Sequence, residues 1–374
     1  MKTKKTQQLY LPRELILQIL LRLPVKSLLR FKCVRKSWFS LISDPHFANS
    51  HFEITSATHT RRIMFISYSD RATRSVDFEA SLYDDSAISV SHNLNFLLPN
   101  TCEDLEIKGS CRGIIVMRCC SEFHLWNPST RVHKQIILSP NDYYINFFGF
   151  GYDKSTDDYL VISMSTWNTI SDESYLEIFS LRANTWKQIG STHIRYSFLE
   201  EDNDTPSGVG LLFNGAIHWL AWRYDHDLQE SVIVAFDLME RKLLDIHLPH
   251  DFEPKKSQRF GLCVFGEFLS LWSADFLINN TVEIWVMNEY KLHSSWTKTI
   301  VLPVVGFPDE YFAPLCSTKS GDIVTTDYGG TGLAKFDGKG QLLEYRSHRD
   351  HYDVQGYKET LYIDSLLSLH NEQP

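Results

Sequence analysis

The chain has 374 residues, 43% of them hydrophobic and 22% charged, a balance that builds folded cores and excludes wholesale disorder. That length exceeds what one compact core usually spans, so one small and one large unit are expected. The net charge of −9 divides unevenly: residues 1 to 50 hold ten Lys/Arg against two Asp/Glu, a local +8, and the remainder stands at −17.

The opening residues, MKTKKTQQLYLP, are charged and have no apolar h-region, so no secretory signal is expected. No run reaches the roughly 18 apolar residues of a membrane span, so no membrane partner is expected either. Seven cysteines without C-x-x-C spacing argue against a disulfide scaffold and against a zinc site. The pair Cys119-Cys120 reads as two alternating positions of a strand. A reducing compartment, cytosol or nucleus, is the expected location.

Helical periodicity begins at once. Leu15, Ile16, Ile19, Leu20 and Leu23 recur on one helical face behind Pro12, which stands where a first-turn proline is tolerated. Pro24 pushes Leu23 away from the α region, and a second short helix is predicted from near Lys26. A third apolar set, Val34, Trp38, Leu41 and Ile42, has Lys32, Lys36 and Ser40 on its other side, and Asp44-Pro45 is read as its end. Three short helices in so few residues leave much apolar surface uncovered, some of which is expected to meet another protein. The positive charges are interleaved with these apolar residues and form no tail, a pattern that suits an acidic protein partner and not nucleic acid.

In its order, Leu-Pro, helix, Leu-Pro-Val-Lys-Ser-Leu, Arg-Phe-Lys-Cys-Val, Lys-Ser-Trp, Leu-Ile, the stretch from Leu11 to Ile42 resembles an F-box. The resemblance implies docking on the Skp-type adaptor of a Skp-cullin-F-box ubiquitin ligase, and through it a link to cullin and RING subunits. By position it carries the adaptor contacts to Leu11, Pro12, Leu15, Ile16, Ile19, Leu23, Pro24, Leu28, Leu29, Val34 and Trp38. The expected F-box spans residues 8–50, with a linker over 51–60.

From about Arg61 short apolar runs alternate with turn residues. One unit returns, a strand ending in an aromatic, a polar turn and another strand, with Trp126, Phe179, Phe236, Trp285 and Phe336 at intervals of 53, 57, 49 and 51 residues. A repeat near 50 residues built from short strands suits one four-stranded propeller blade. Before each returning hairpin lies another strand pair around a turn such as Asn214-Gly215 or Ser320-Gly321-Asp322. With an earlier unit from Ile63 to Val90, about six blades are predicted, and the late strand YKETLYIDSLLSL is free to pair with the first and close the ring. The fold expected is therefore multidomain and mainly β: a small three-helix unit followed by a propeller-like domain.

The strand-Trp-Asn-Pro-Ser-Thr-Arg turn at Trp126 to Arg131, the Gly149-Phe-Gly151-Tyr-Asp153 run and Tyr362-Ile-Asp-Ser-Leu-Leu resemble the plant F-box-associated domain, a kelch-like family. This resemblance assigns residues 61–370 to one propeller and implies a surface for a protein substrate. The repeated Gly-Gly of true kelch repeats is missing apart from Gly329-Gly330. The five aromatics are expected to pack between blades.

No Gly-x-Ser-x-Gly elbow, Walker loop, dinucleotide fingerprint or His-Glu-x-x-His occurs, so no catalytic residue, cofactor or metal ligand is assigned. His348-Arg349-Asp350 spells a kinase tripeptide without its companions and reads as a solvated loop. His247 and His250 flank Leu248-Pro249 and read as a turn. The function expected is a non-catalytic substrate receptor. The layout also resembles S-locus F-box proteins, which recognise pistil ribonucleases in self-incompatibility. A different class, a propeller enzyme acting on sugars, predicts acidic or metal-binding side chains converging on the axis. The longest polar connections, 167–174, 199–207, 224–230, 251–258 and 306–312, are of the kind that carries specificity, but each reads first as a plain connection and no substrate-binding residue is assigned.

Overall fold

A computed structural model describes residues 12–55, 61–67, 71–91, 94, 105–119, 122–137, 139, 145–166, 174–192, 194–199, 208–225, 228–252, 254, 258–275, 281–303, 312–327, 332–347 and 357–369. Four helices come first: α1 (Arg13–Leu20), α2 (Val25–Phe31), α3 (Lys36–Ser43) and α4 (Pro45–Thr55). Pro12 and Pro24 stand at the N-caps of α1 and α2. Their fixed φ suits a helix entry, and a missing N–H is harmless there.

The expectation of three helices is corrected to four. Asp44-Pro45, read as a stop, ends α3 and starts α4: the Asp44 carboxylate accepts from the backbone N–H of His46 (2.8 Å) and Phe47 (3.1 Å). An Asp cap with proline in the first turn is a start signal as much as a stop. α4 runs through Thr55, so the first half of the expected 51–60 linker is helical, and 56–60 lie outside the described residues. Val34 precedes α3, whose first helical residue is Lys36 because Arg35 is extended (φ −155°, ψ 142°).

The strands fall into six blades. They are β1 (Arg61–Ser67), β2 (Thr73–Val76) and β3 (Ile88–Ser91); β4 (Leu105–Cys111), β5 (Ile114–Cys119), β6 (Glu122–Trp126) and β7 (His133–Ile137); then β8 (Ile145–Asp153), β9 (Asp158–Thr166), β10 (Ser174–Ser180) and β11 (Thr185–Thr192). The fourth has β12 (Arg195–Phe198) and β13 (Leu211–Phe213) sharing the innermost place, followed by β14 (Ala216–Asp225), β15 (Leu228–Asp237) and β16 (Lys242–His247). The last two are β17 (Arg259–Phe265), β18 (Phe268–Asp275), β19 (Thr281–Met287) and β20 (Trp296–Pro303), then β21 (Phe312–Ser317), β22 (Ile323–Asp327), β23 (Gly332–Phe336) and β24 (Leu342–Ser347). These two are joined through their inner strands by one parallel bridge, Val264 to Cys316.

The late strand, β25 (Tyr357–Ile363), pairs antiparallel with β1 from Arg61↔Ile363 to Ser67↔Tyr357 and becomes the innermost strand of the first blade. The ring is thus closed by its first and last strands in chain order, as the sequence predicts. No strand edge is left open at the seam.

Trp126, Phe179, Phe236, Trp285 and Phe336 all lie on the third strand of their blades and are buried. Next to the aromatic, Asn127, Ser180, Asp237 and Asp337 turn a side-chain oxygen onto the backbone N–H of the following turn. This local bond satisfies a turn that has no ladder partner. In the fifth blade the turn residue is Asn288, which follows Met287, so the position equivalent to the other four aromatics is Met287 and Trp285 is displaced by two.

Two indoles join neighbouring blades at the outer rim: Trp186 Nε1 donates to the Ile137 carbonyl (2.9 Å) and Trp296 Nε1 to the His247 carbonyl (3.0 Å). Gly149 and Gly151 let β8 approach the fourth blade. A Cβ at Gly149 would lie 2.6 Å from the Ile217 side chain, and one at Gly151 2.5 Å from that of Leu238.

Cys119, read from the sequence as an ordinary strand position, has a further role. Buried at the end of β5, it is disulfide-bonded, with its partner outside the described residues. Cys33, Cys111, Cys263 and Cys316 are free thiols.

Candidate functional site

α1 is apolar on opposite sides. Leu20 is buried in the helical core, with Ile16 and Leu17 half-buried against it, and Leu15 and Ile19, one turn apart on the other side, are each 50% exposed. The core that holds the inner side also contains Leu21, Val25, Leu28, Ile42, Phe47 and Ala48. Further apolar side chains stand out from the same small unit: Val34 is 65% and Phe39 56% exposed. A helix buries one stripe in its own fold, and a second stripe needs another protein.

The expected contacts separate into three groups. Pro12, Leu15, Ile19, Pro24 and Val34 are exposed; Ile16, Leu23, Leu29 and Trp38 are half-buried; Leu28 is sealed in the core, where it supports the surface without reaching it. Leu11 lies outside the described residues. Trp38 packs on Phe31 with ring centroids 5.3 Å apart.

Sequence periodicity missed Phe39. It follows Trp38 directly, off the repeating face, and an aromatic in that place is itself the signal of a second face. Lys32 Nζ lies 6.0 Å from the Phe39 ring centroid, and burial lowers the pKa of this amine. Arg13, Arg22, Lys26, Arg30, Arg35 and Lys36 are exposed around these side chains. His51, also missed, is buried with Nε2 2.8 Å from the Leu23 carbonyl, tying α4 to the turn between α1 and α2. Burial holds its pKa below the ordinary value.

This helical unit is fastened to the propeller. Arg112, in the β4–β5 turn, reaches Glu53 Oε1 and Asn49 Oδ1 on α4, both at 3.0 Å. Its guanidinium also lies over Phe52 (4.4 Å) and Tyr152 (4.0 Å). The residues after β25 complete the junction. Leu366 and Leu367 enter the helical core, and the fully buried Asn127 donates to the carbonyls of Ser365 (3.2 Å) and Leu367 (2.8 Å). The Trp-Asn-Pro-Ser-Thr-Arg turn thus holds the segment that cements helices to ring.

The helices therefore sit against the β4–β5, β6–β7 and β8–β9 turns, since Pro45 and Asn49 also line a groove with Tyr152, Asp157 and Tyr159. The strands alternate in direction, so the turns between second and third strands and the passages between blades leave from the opposite face. Four of the five long polar connections, 167–174, 224–230, 251–258 and 306–312, join strand ends on that opposite face, while 199–207 interrupts the innermost strand of the fourth blade, between Phe198 opposite Ala221 and Leu211 opposite His218. Most of their residues lie outside the described ones.

Near one end of the inner strands charges of both signs meet. Lys108, 1% exposed, lies 3.2 Å from Glu106, and Glu359 on β25 is influenced by Lys358 and Asp327. Burial raises the Glu359 carboxyl to about 7, against a partial lowering by Lys358. The inner strands are thus not lined only by apolar and small residues. Among the described residues no three His, Cys, Asp or Glu side chains are gathered as a metal site.

A sequence profile described as F-box-like matches residues 9–53, and one described as the F-box associated beta propeller domain matches residues 63–320. The chain belongs to the F-box-associated β-propeller family. The F-box protein CPR1 of Arabidopsis thaliana is 27% identical over 391 aligned residues, covering 96% of this chain and 88% of that protein. An F-box/kelch-repeat protein of the same plant is also 27% identical, over 78% of this chain and 79% of its own length. Solved structures are more distant. A virginiamycin B lyase from Staphylococcus aureus aligns over 81% of this chain and 96% of its own, with TM-score 0.42 and 10% identity. A luciferin-regenerating enzyme aligns over 64% and 73%, with TM-score 0.39 and 11% identity. Likeness at this level carries no argument about chemistry. An F-box joined to a propeller of this family is the architecture of an F-box substrate receptor, and the F-box implies binding to a Skp-type adaptor.

Proposed function

We propose that the chain is the non-catalytic, substrate-recognising subunit of a Skp-cullin-F-box ubiquitin ligase. The observation that carries this reading is the outer stripe of α1: Leu15 and Ile19 are half in solvent on a helix whose other side already packs the core. A Skp-type adaptor covers that stripe together with Val34 and Phe39, and the exposed basic residues around it favour an acidic partner. Cullin and RING subunits join through the adaptor. The protein substrate binds the propeller face that points away from the helices.

Co-purification with a Skp homologue tests the reading. Burying a leucine or isoleucine side chain contributes about 1.5–3 kcal/mol, so Leu15→Asp with Ile19→Asp is expected to weaken adaptor binding by roughly 100-fold or more. Both positions are exposed, so folding should survive, which the melting curve checks. Changes at Leu23 or Trp38 are less clean because both are half-buried in the helical unit. Wild-type failure to bind, or full binding by the folded double variant, would remove the proposal.

A further inference from the structure

The turn reading of His247 and His250 leaves out a third histidine that the fold brings to them. His293, from the turn between the third and fourth strands of the fifth blade, lies with its ring centroid 4.1 Å from that of His250 and 5.8 Å from that of His247. Two rings that share a zinc ion at an N–metal distance of about 2.0–2.1 Å have centroids about 5 Å apart, so these separations bracket the required one.

Two of the rings already have their tautomers set. His247 Nδ1 lies 2.9 Å from Glu230 Oε1, and His293 Nε2 lies 2.8 Å from the Leu248 carbonyl oxygen. A carboxylate and a carbonyl can only accept, so the neutral rings carry their protons on those nitrogens. The lone pairs then lie on His247 Nε2 and His293 Nδ1. A carboxylate or carbonyl behind each ligating imidazole is the usual outer support of a metal-binding histidine. Arg223 lies 4.0 Å from the other oxygen of this carboxylate and is shared with Asp225 and Asp245, at 2.8 and 3.0 Å.

We propose that His247, His250 and His293 form an inducible site for a divalent transition metal of the zinc class. The three side chains do not yet stand at metal-binding geometry. His247 and His293 are preset, and the exposed His250 is the ring that turns to complete the set. Imidazole nitrogens without thiolate or several carboxylates suit Zn2+, Cu2+ or Ni2+ and exclude Ca2+ and Mg2+. The bound ion would tie the end of β16 to the turn before β20, adding to the Trp296–His247 hydrogen bond a second bond between the fourth and fifth blades. This inference is independent of adaptor binding.

Calorimetric titration of ZnCl2 into the metal-free full-length chain tests it. One zinc per chain is expected, weakened at least tenfold by His250→Ala and by roughly 10–100-fold in Glu230→Gln, which takes the negative charge from behind His247 and from beside Arg223. Zinc should also raise the melting temperature of wild type and not of His250→Ala. His250 is exposed, so its removal leaves the fold intact, and an unchanged metal-free melting curve verifies this. Absence of saturable binding in wild type, or binding that persists unchanged in His250→Ala because cysteine thiolates take the metal, would overturn the assignment.

Discussion

Replacing Asn127 by alanine should unfasten the helices from the propeller while leaving the ring closed. The side chain is fully buried and donates to Ser365 O, Ser365 Oγ and Leu367 O, while its oxygen accepts from the N–H of Ser129 (2.9 Å) and Thr130 (3.3 Å). A buried carbonyl left without a donor costs about 1–3 kcal/mol, and two are stranded, so a loss of about 3 kcal/mol is expected once some water enters. Leu366 and Leu367 oppose release, since each keeps about 1.5–3 kcal/mol of burial in the helical core. The segment should therefore open more often without leaving altogether. A change of 3 kcal/mol is roughly 100-fold in the opening equilibrium, so hydrogen exchange at residues 364–369 and in α4 should rise about 100-fold. The β1–β25 pairing should exchange as in wild type. Ser129→Ala, which loses the 2.9 Å hydrogen bond to Asp364 and the long 3.4 Å one from the Ser365 N–H, serves as control and should raise exchange by less than about tenfold. Exchange at 364–369 within threefold of wild type in Asn127→Ala would refute the assignment of the turn as the junction's anchor.

Three further outcomes follow from particular contacts. Gly149→Ala forces a Cβ to within 2.6 Å of Ile217 and 2.9 Å of Trp219 and should cost about 1–3 kcal/mol, read from the denaturant midpoint. His218, fully buried between the Leu211 carbonyl and Tyr290 Oη, has its pKa lowered to about 4 by burial. A depressed histidine gives stability that is complete above the unfolded pKa near 6.5 and lost as pH falls towards 4. Wild type should therefore lose up to roughly 3 kcal/mol across that window, and His218→Phe should flatten the slope. Glu359 has the opposite sign: its carboxyl is raised to about 7, so ionising it costs stability as pH rises from about 4.5 to 7. Glu359→Gln is expected to stabilise the chain by about 1–3 kcal/mol at pH 8 and not at pH 4. A stabilisation equal at both pH values would show that the carboxyl titrates normally.

Local signals carried the reading of the sequence a long way. Pro12 and Pro24 mark helix entries because a fixed φ and a missing N–H act within one turn of chain. The aromatic positions reported a blade repeat because each side chain answers to the same strand place in its own blade. Where two meanings share one local signal, the sequence was ambiguous: Asp44-Pro45 ends one helix and caps the next, and only the Asp44 hydrogen bonds to His46 and Phe47 decide between them. Trp285 shares the spacing and the strand-turn-strand pattern of the repeat, while the turn at Asn288 puts Met287 in register.

By itself the sequence determined the helical head, the repeat of the ring and the strand that closes it, because periodicity, turn chemistry and proline act over a few residues. Tertiary structure decided which apolar residues of the head are spent on its own core and which are left for a partner. Leu28 and Leu15 are alike in the sequence, but one is 0% and the other 50% exposed. Tertiary structure also joined Asn127 to residues 365–367, Arg112 to α4, and His293 to His247 and His250. These contacts link residues far apart in the chain, whose approach is set by how blades and helices pack and by no local pattern.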